Sequence, residues 1–191
     1  MNPIMLKGKK VVGTEGDILG EMNDLHVDFD TWQASAFYVV LSDMAVAELD
    51  FKKSFLRKIM VCLPTELIEA VGDEVTLTAP IRNLKDIAEK EVHVDTVKIE
   101  GKKVISAKGY VVGEVEALDV DFSNWQVTGL QVGLTDQAAT ELGFKRPVLS
   151  KVTVIVPSSA VGEIGNFITL DKTIENLKSL IECIRSCQLQ K

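Results

Sequence analysis

Asp28 and Asp30 form a candidate acid and base pair two residues apart, and Asp121 stands in a matching Asp-Phe context further along. Paired carboxylates serve as general acid and base when their surroundings push their proton affinities apart. Here, however, they close an apolar strand, where an aspartate commonly accepts hydrogen bonds from the backbone two residues on, so the pattern points to turn-building. Cys183 and Cys187 lie four apart, on one face of any helix there, and could begin a metal site. A zinc site needs about four ligands, and the two histidines, His26 and His93, stand in unrelated contexts. No metal site is expected. Three cysteines form no disulfide framework and suit a reducing compartment. The chain also lacks a Gly-rich phosphate loop, a G-x-S-x-G elbow and a metalloprotease helix. The expectation is a protein with no catalytic residues and no cofactor, not an enzyme.

The composition agrees. With 191 residues, 46% of them hydrophobic, and a net charge of −7, the chain can bury ordinary cores. Its acidity argues against nucleic acid as a partner, because affinity for phosphates rests on clustered Lys and Arg. Lys7, Lys9 and Lys10, echoed by Lys102 and Lys103, read as the solvated ends of a first strand. No apolar run approaches the roughly 20 residues that span a bilayer, and MNPIMLKGKK lacks the apolar centre of a signal peptide. A cytoplasmic protein without direct membrane insertion is expected.

The elements that would position any site follow from an internal repeat. A shift of 93 residues sets GKKVVGTEGDILGEMNDLHVDFDTWQ, from Gly8 to Gln33, on GKKVISAKGYVVGEVEALDVDFSNWQ, from Gly101 to Gln126. Under the same shift Pro64 meets Pro157, Gly72 meets Gly165, and Asn83-Leu84-Lys85 meets Asn176-Leu177-Lys178. The chain is therefore divided into residues 1–92 and 93–191, two copies of one domain.

Within each copy the apolar residues recur at period two, which marks half-buried strands. Leu25, Val27 and Phe29 share a face, as do Leu118, Val120 and Phe122. Met22 and Val115 stand three positions earlier, so the alternation slips by one in both copies, which predicts a bulge or sharp bend. Further strands read Phe37, Val39, Leu41 against Leu130, Val132, Leu134, and Ile59, Val61, Leu63 against Val152, Val154, Val156. SDMAVAELDFKK and TDQAATELGFKR do not alternate and suit one helical turn or a loop. Each copy ends in helix-like spacing: Ile81, Leu84, Ile87 and then Ile174, Leu177, Ile181, Ile184. The predicted fold class is all-β: two tandem small, strongly bent β-barrels, each followed by a short α-helix, the second one longer.

The pattern G-K-x-V, a turn Gly, Gly-Glu, L-x-V-D-F and W-Q resembles the PRC-barrel domain, as does the Leu-Pro or Val-Pro strand followed by Val71-Gly72-Asp73 and Val75-Thr76-Leu77. The resemblance covers residues 5–88 and 98–181, and the Trp and the Asn-Leu-Lys segment are most similar to archaeal members. It implies six bent strands per barrel and a protein-contact role. It points to an adaptor of the archaeal cell-division type, acting at the division site with SepF-like proteins, the FtsZ ring or other PRC-barrel proteins, as a homo- or hetero-oligomer. The alternative it implies is an accessory in ribosome or RNA processing.

Five residues are candidates for partner contact. Trp32 and Trp125, large aromatics beside a turn, either lid a barrel or anchor a partner. The two copies also differ on their expected outward face: Tyr38 and Val40 stand where the second has Gln131 and Gly133, and Met60 and Cys62 where it has Thr153 and Ile155. An apolar outer stripe of Tyr38, Val40 and Met60 would need a cover.

Overall fold

The computed structural model describes residues 6–52, 58–90, 98–144 and 151–188. They form two compact units, one of Met1–Val97 with Val120–Val127 and one of Lys98–Asp119 with Thr128–Lys191. His93 and the side chains of Cys183 and Cys187 lie outside what is described.

The first unit contains β1 (Lys10–Val12), β2 (Ile18–Asp28), β3 (Gln33–Leu41), α1 (Asp43–Glu48), β4 (Met60–Pro64), β5 (Ile68–Val71), β6 (Val75–Leu77) and β7 (Glu89–Lys90). Their ladder runs β5–β6–β1–β2–β3–β4–β7, antiparallel except for β1 beside β6. β4 passes directly into β5 through the 3-10 turn Thr65–Leu67, so strands far apart in the ladder are neighbours in sequence. A sheet with that connection must curl. Of the residues that alternate on the expected inner face, Phe37, Val39, Val61, Leu63, Val75 and Leu77 are fully buried, as are Val11 and Leu19 beside them, whereas Val27 and Phe29 near the end of β2 are half-buried. Burial of an aliphatic or aromatic side chain of this size contributes about 1.5–3 kcal/mol against its exposed state.

The slip read from the sequence is a bulge. Met22 pairs with Val39 and Asp24 with Tyr38, which leaves Asn23 without a partner of its own in the ladder. The bend also requires close backbone approach at Gly20, where a Cβ would stand 2.0 Å from the carbonyl oxygen of Val40. Gly113 meets the carbonyl oxygen of Gly133 in the same way, at 2.2 Å.

The second copy of the repeat follows the same plan with β8 (Lys103–Ile105), β9 (Val111–Asp121), β10 (Gln126–Leu134), α2 (Asp136–Glu141), β11 (Thr153–Pro157), β12 (Val161–Ile164), β13 (Ile168–Leu170) and α3 (Ile174–Gln188), all of it in the second unit except residues 120–127 at the end of β9 and the start of β10. The ladder is β12–β13–β8–β9–β10–β11, with β8 parallel to β13. The architecture is all-β with short helices. The non-alternating segment after the third strand is a short helix in each copy, because Ser42 and Thr135 accept hydrogen bonds from the amides of Ala45 and Ala138, both at 3.1 Å.

The two ends differ from the expected pair of α-helices. In the first unit Ile81–Leu84 is a 3-10 turn, pinned where the Asp17 Oδ2 accepts from the Ile81 amide at 2.9 Å. The Leu84 carbonyl then takes both the Ile87 and Ala88 amides, and the chain returns as β7 to pair with β4. Ile81 and Leu84 are buried, but Ile87, the third residue of the expected stripe, is 42% exposed. In the second unit Thr173 caps the start through its Oγ1, and Leu177 and Ile181 carry a buried stripe onward as α3.

Candidate protein-contact face

On the outer side of β2, β3 and β4 the register places Val40 beside Glu21 and Met60, and Tyr38 beside Asp24 and Cys62. Val40, Met60 and Cys62 are half-buried. The bulge delivers Asn23 to the same face, where its Nδ2 donates to the Met60 sulfur at 3.4 Å. Tyr38 differs from its expected outward exposure: it is only 5% exposed. Its ring meets the edge of His26, with centroids 6.4 Å apart and an interplanar angle of 81°. Phe37, Tyr38 and Val39 are thus buried in succession, so strict alternation fails where both sides of the strand are covered. Tyr38 is part of the packing under the face, and Val40 and Met60 are its accessible apolar centre.

The equivalent face of the second unit is built differently. Gly133 replaces Val40, and a Cβ there would lie 2.0 Å from the Glu116 Oε1. The missing side chain therefore lets the Glu116 carboxylate lie across the strand. Glu116 accepts a 2.8 Å hydrogen bond from Thr153 Oγ1, and Lys151 stands 3.8 Å from Glu116 and 4.0 Å from Glu114. Exposed pairs of this kind contribute at most about 1 kcal/mol, but they keep the face polar. Asn23, Val40 and Met60 hold the positions of Glu116, Gly133 and Thr153 in the first unit and make the centre of its face apolar, with Glu21 beside Val40 at its edge.

Trp32 and Trp125 sit in the turns after β2 and β9, both within the first unit. Each is half-buried and each has a positive φ, 57° and 59°. Their rings stack edge-on with Phe29 and Phe122, at 5.6 and 5.2 Å. Asp28 and Asp121 build these turns, as their place at the strand ends predicts: Asp28 Oδ1 accepts from the Asp30 amide at 2.8 Å, and Asp121 Oδ1 from the Ser123 amide at 2.9 Å. That amide bond holds the Asp28 carboxyl below its ordinary range.

The two turns also bind each other. The Ala34 amide donates to the Trp125 carbonyl at 2.9 Å, and the Val127 amide to the Trp32 carbonyl at 2.8 Å. Gln33 Nε2 donates to the Asn124 carbonyl and Gln126 Nε2 to the Trp32 carbonyl, both at 2.8 Å. Sequence reasoning noticed the tryptophans and missed the glutamines. The signal available was the intact Trp-Gln pair in both copies.

Lys7, Lys10 and Lys103 at the strand starts are exposed, as solvated ends would be, while two neighbours reach backbone carbonyls at the surface. Lys9 donates to the Gly72 carbonyl and Lys102 to the equivalent Gly165 carbonyl. Lys7, Lys9 and Lys10 line an open groove opposite Asp73 and Glu74. Among the described residues no three His, Cys, Asp or Glu side chains gather as a metal site, and no helix is long and apolar enough to cross a membrane.

No family model matches the chain, and no curated protein matches it. Among solved structures it overlaps a chain described as a 16S ribosomal RNA processing protein, RimM, from Pseudomonas aeruginosa. The overlap covers 79% of this chain and 96% of that one at 12% identity, with a TM-score of 0.25. A superposition that loose carries no argument about function.

Proposed function

We propose that the protein is a non-enzymatic adaptor that binds a protein partner through the apolar outer face of its first unit. The observation that carries this reading is the contrast between equivalent faces. Glu116, Thr153 and Lys151 give the second unit a face of polar groups satisfied by one another, whereas Val40 and Met60, beside Asn23, put half-buried apolar groups at the centre of the first. One fold thus carries one solvated face and one suited to lose water against a partner. The finer reading, an archaeal cell-division adaptor working with SepF-like or other PRC-barrel proteins, is supported by the sequence resemblance alone.

Affinity purification of the tagged full chain from its native cells, followed by partner identification, tests both levels. The adaptor reading expects a protein that is retained by the unaltered chain and lost from a Val40→Glu, Met60→Lys chain of unchanged fold. Equal retention by both chains overturns the face. Retention of ribosomal proteins or RNA in place of division proteins overturns the finer reading and leaves the ribosome-accessory role.

A further inference from the structure

We propose that the turn Thr31–Ala34, with its repeat equivalent Asn124–Val127, is a self-recognition element whose partner is another copy of the same turn, including one on a second chain. The inference goes beyond the adaptor face and does not depend on it. Each turn offers the same set of groups: a tryptophan carbonyl that accepts, an amide two residues later that donates, and a glutamine side chain that donates. Trp32 with Ala34 and Gln33 matches Trp125 with Val127 and Gln126, and these amides and glutamine side chains each donate to a carbonyl of the other turn, while the Gln126 amide stays within its own turn on Asn124 Oδ1. Gln126 Nε2 also reaches the Thr31 carbonyl, at 3.2 Å.

Such reciprocity is the mark of an isologous contact, in which one patch is complementary to itself. The pair Gln33 and Gln126 is bracketed by the two backbone bonds, so it occupies the wide, non-hydrogen-bonded position of an antiparallel ladder, where facing side chains come closest. The positive φ of both tryptophans sets the turn in the same conformation on each side. Nothing in this donor and acceptor pattern requires that the two turns belong to one chain. Within one chain the high effective concentration favours the internal pair, so pairing between chains appears when the internal pair is opposed.

Like charges directly opposite one another in a ladder are destabilising, which supplies the test. One full chain carries Gln33→Glu with Gln126→Glu, and a second carries Gln33→Lys with Gln126→Lys. Circular dichroism confirms that each keeps its sheet. Light scattering is then expected to show, in the equimolar mixture only, a species of twice the mass found in either variant alone. A mixture that weighs the same as its folded components overturns the proposal. Should either variant lose its sheet signal, a labelled peptide of residues 119–128 is titrated with the milder Gln126→Ala chain. A saturable rise in anisotropy, reversed by an unlabelled peptide of residues 26–35 and not by a scrambled one, is expected. A flat titration into the millimolar range overturns the proposal.

Discussion

Gln33 and Gln126, which occupy the same position in the repeat, face each other across a two-stranded pairing and each donates its side-chain amide to a backbone carbonyl in the other's turn. The pairing ties residues 120–127 into the first unit. A side-chain hydrogen bond of this type contributes about 0.5–1.5 kcal/mol net. Gln126→Ala removes contacts to two carbonyls and Gln33→Ala to one. Urea unfolding should therefore show both variants destabilised, Gln126→Ala at least as much as Gln33→Ala. The double variant should fall short of the sum, because the two glutamines belong to one small network.

Trp32 yields a prediction of unusual sign. Truncating a large aromatic to alanine ordinarily costs less than truncating it to glycine, which adds backbone entropy to the unfolded chain. At φ 57°, however, an L-residue with a Cβ is strained by roughly 1 kcal/mol and glycine is not. Both variants lose the contact with Phe29. Trp32→Gly should therefore be at least as stable as Trp32→Ala, and more stable by up to about 1 kcal/mol, in chemical denaturation.

The glycines separate backbone from side-chain conflict. At Gly20 an added Cβ meets the Val40 carbonyl oxygen, which belongs to the sheet and cannot swing away. Gly20→Ala should cost several kcal/mol, on the order of 2–4, and show as low soluble yield or a large fall in Tm. At Gly133 the nearest atoms belong to the Glu116 and Lys151 side chains, which can rotate into solvent. Gly133→Ala should cost about 1 kcal/mol or less, from the lost Thr153 hydrogen bond and ion pair.

The sequence showed the duplication, the bulge beside Asn23 and the core of each sheet, because period-two burial and repeated glycines are written in residue type. It did not show that Tyr38 is buried, since a residue on the nominal outer side is covered by neighbours the alternation cannot see. Nor did it show that Trp32 and Trp125 occupy left-handed conformations, which their size would not suggest. The first unit's terminal piece departs from the expected α-helix for a different reason: Ile81 and Leu84 satisfy helical spacing, but two buried residues fit one 3-10 turn equally well. The polar cover of Glu116 over Gly133 depended on a contact between strands that periodicity does not encode.

Acid should act on identifiable carboxylates. The Arg82 guanidinium hydrogen-bonded to Glu15 holds that carboxyl below its ordinary 4.5, and Lys85 holds Asp50 below 3.8, as the Asp30 amide does for Asp28. A carboxyl lowered in the folded state contributes stability that is fully present above its unfolded value and is lost as pH falls through its folded value. In the second unit only Glu175 is lowered, among the groups with a resolved shift in the described residues. Stability should hold above about pH 5 and fall below about pH 4. Replacing Glu15 by Gln together with Arg82 by Met should flatten the acid limb of the denaturation midpoint against pH without shifting its neutral plateau much.

The difference between the two faces can be transplanted. If Val40, Met60 and Asn23 form the apolar patch because Glu116 and Gly133 are absent from their positions, then Gly133→Val, Glu116→Asn and Thr153→Met should reproduce it on the second unit. Gly133→Val alone would leave a displaced glutamate over the new apolar group, so the three changes are needed together. Any partner captured through the first face should then bind with doubled stoichiometry in isothermal titration, or survive Val40→Glu in the same chain. If the grafted chain keeps its fold and neither happens, the partner reads something other than this face.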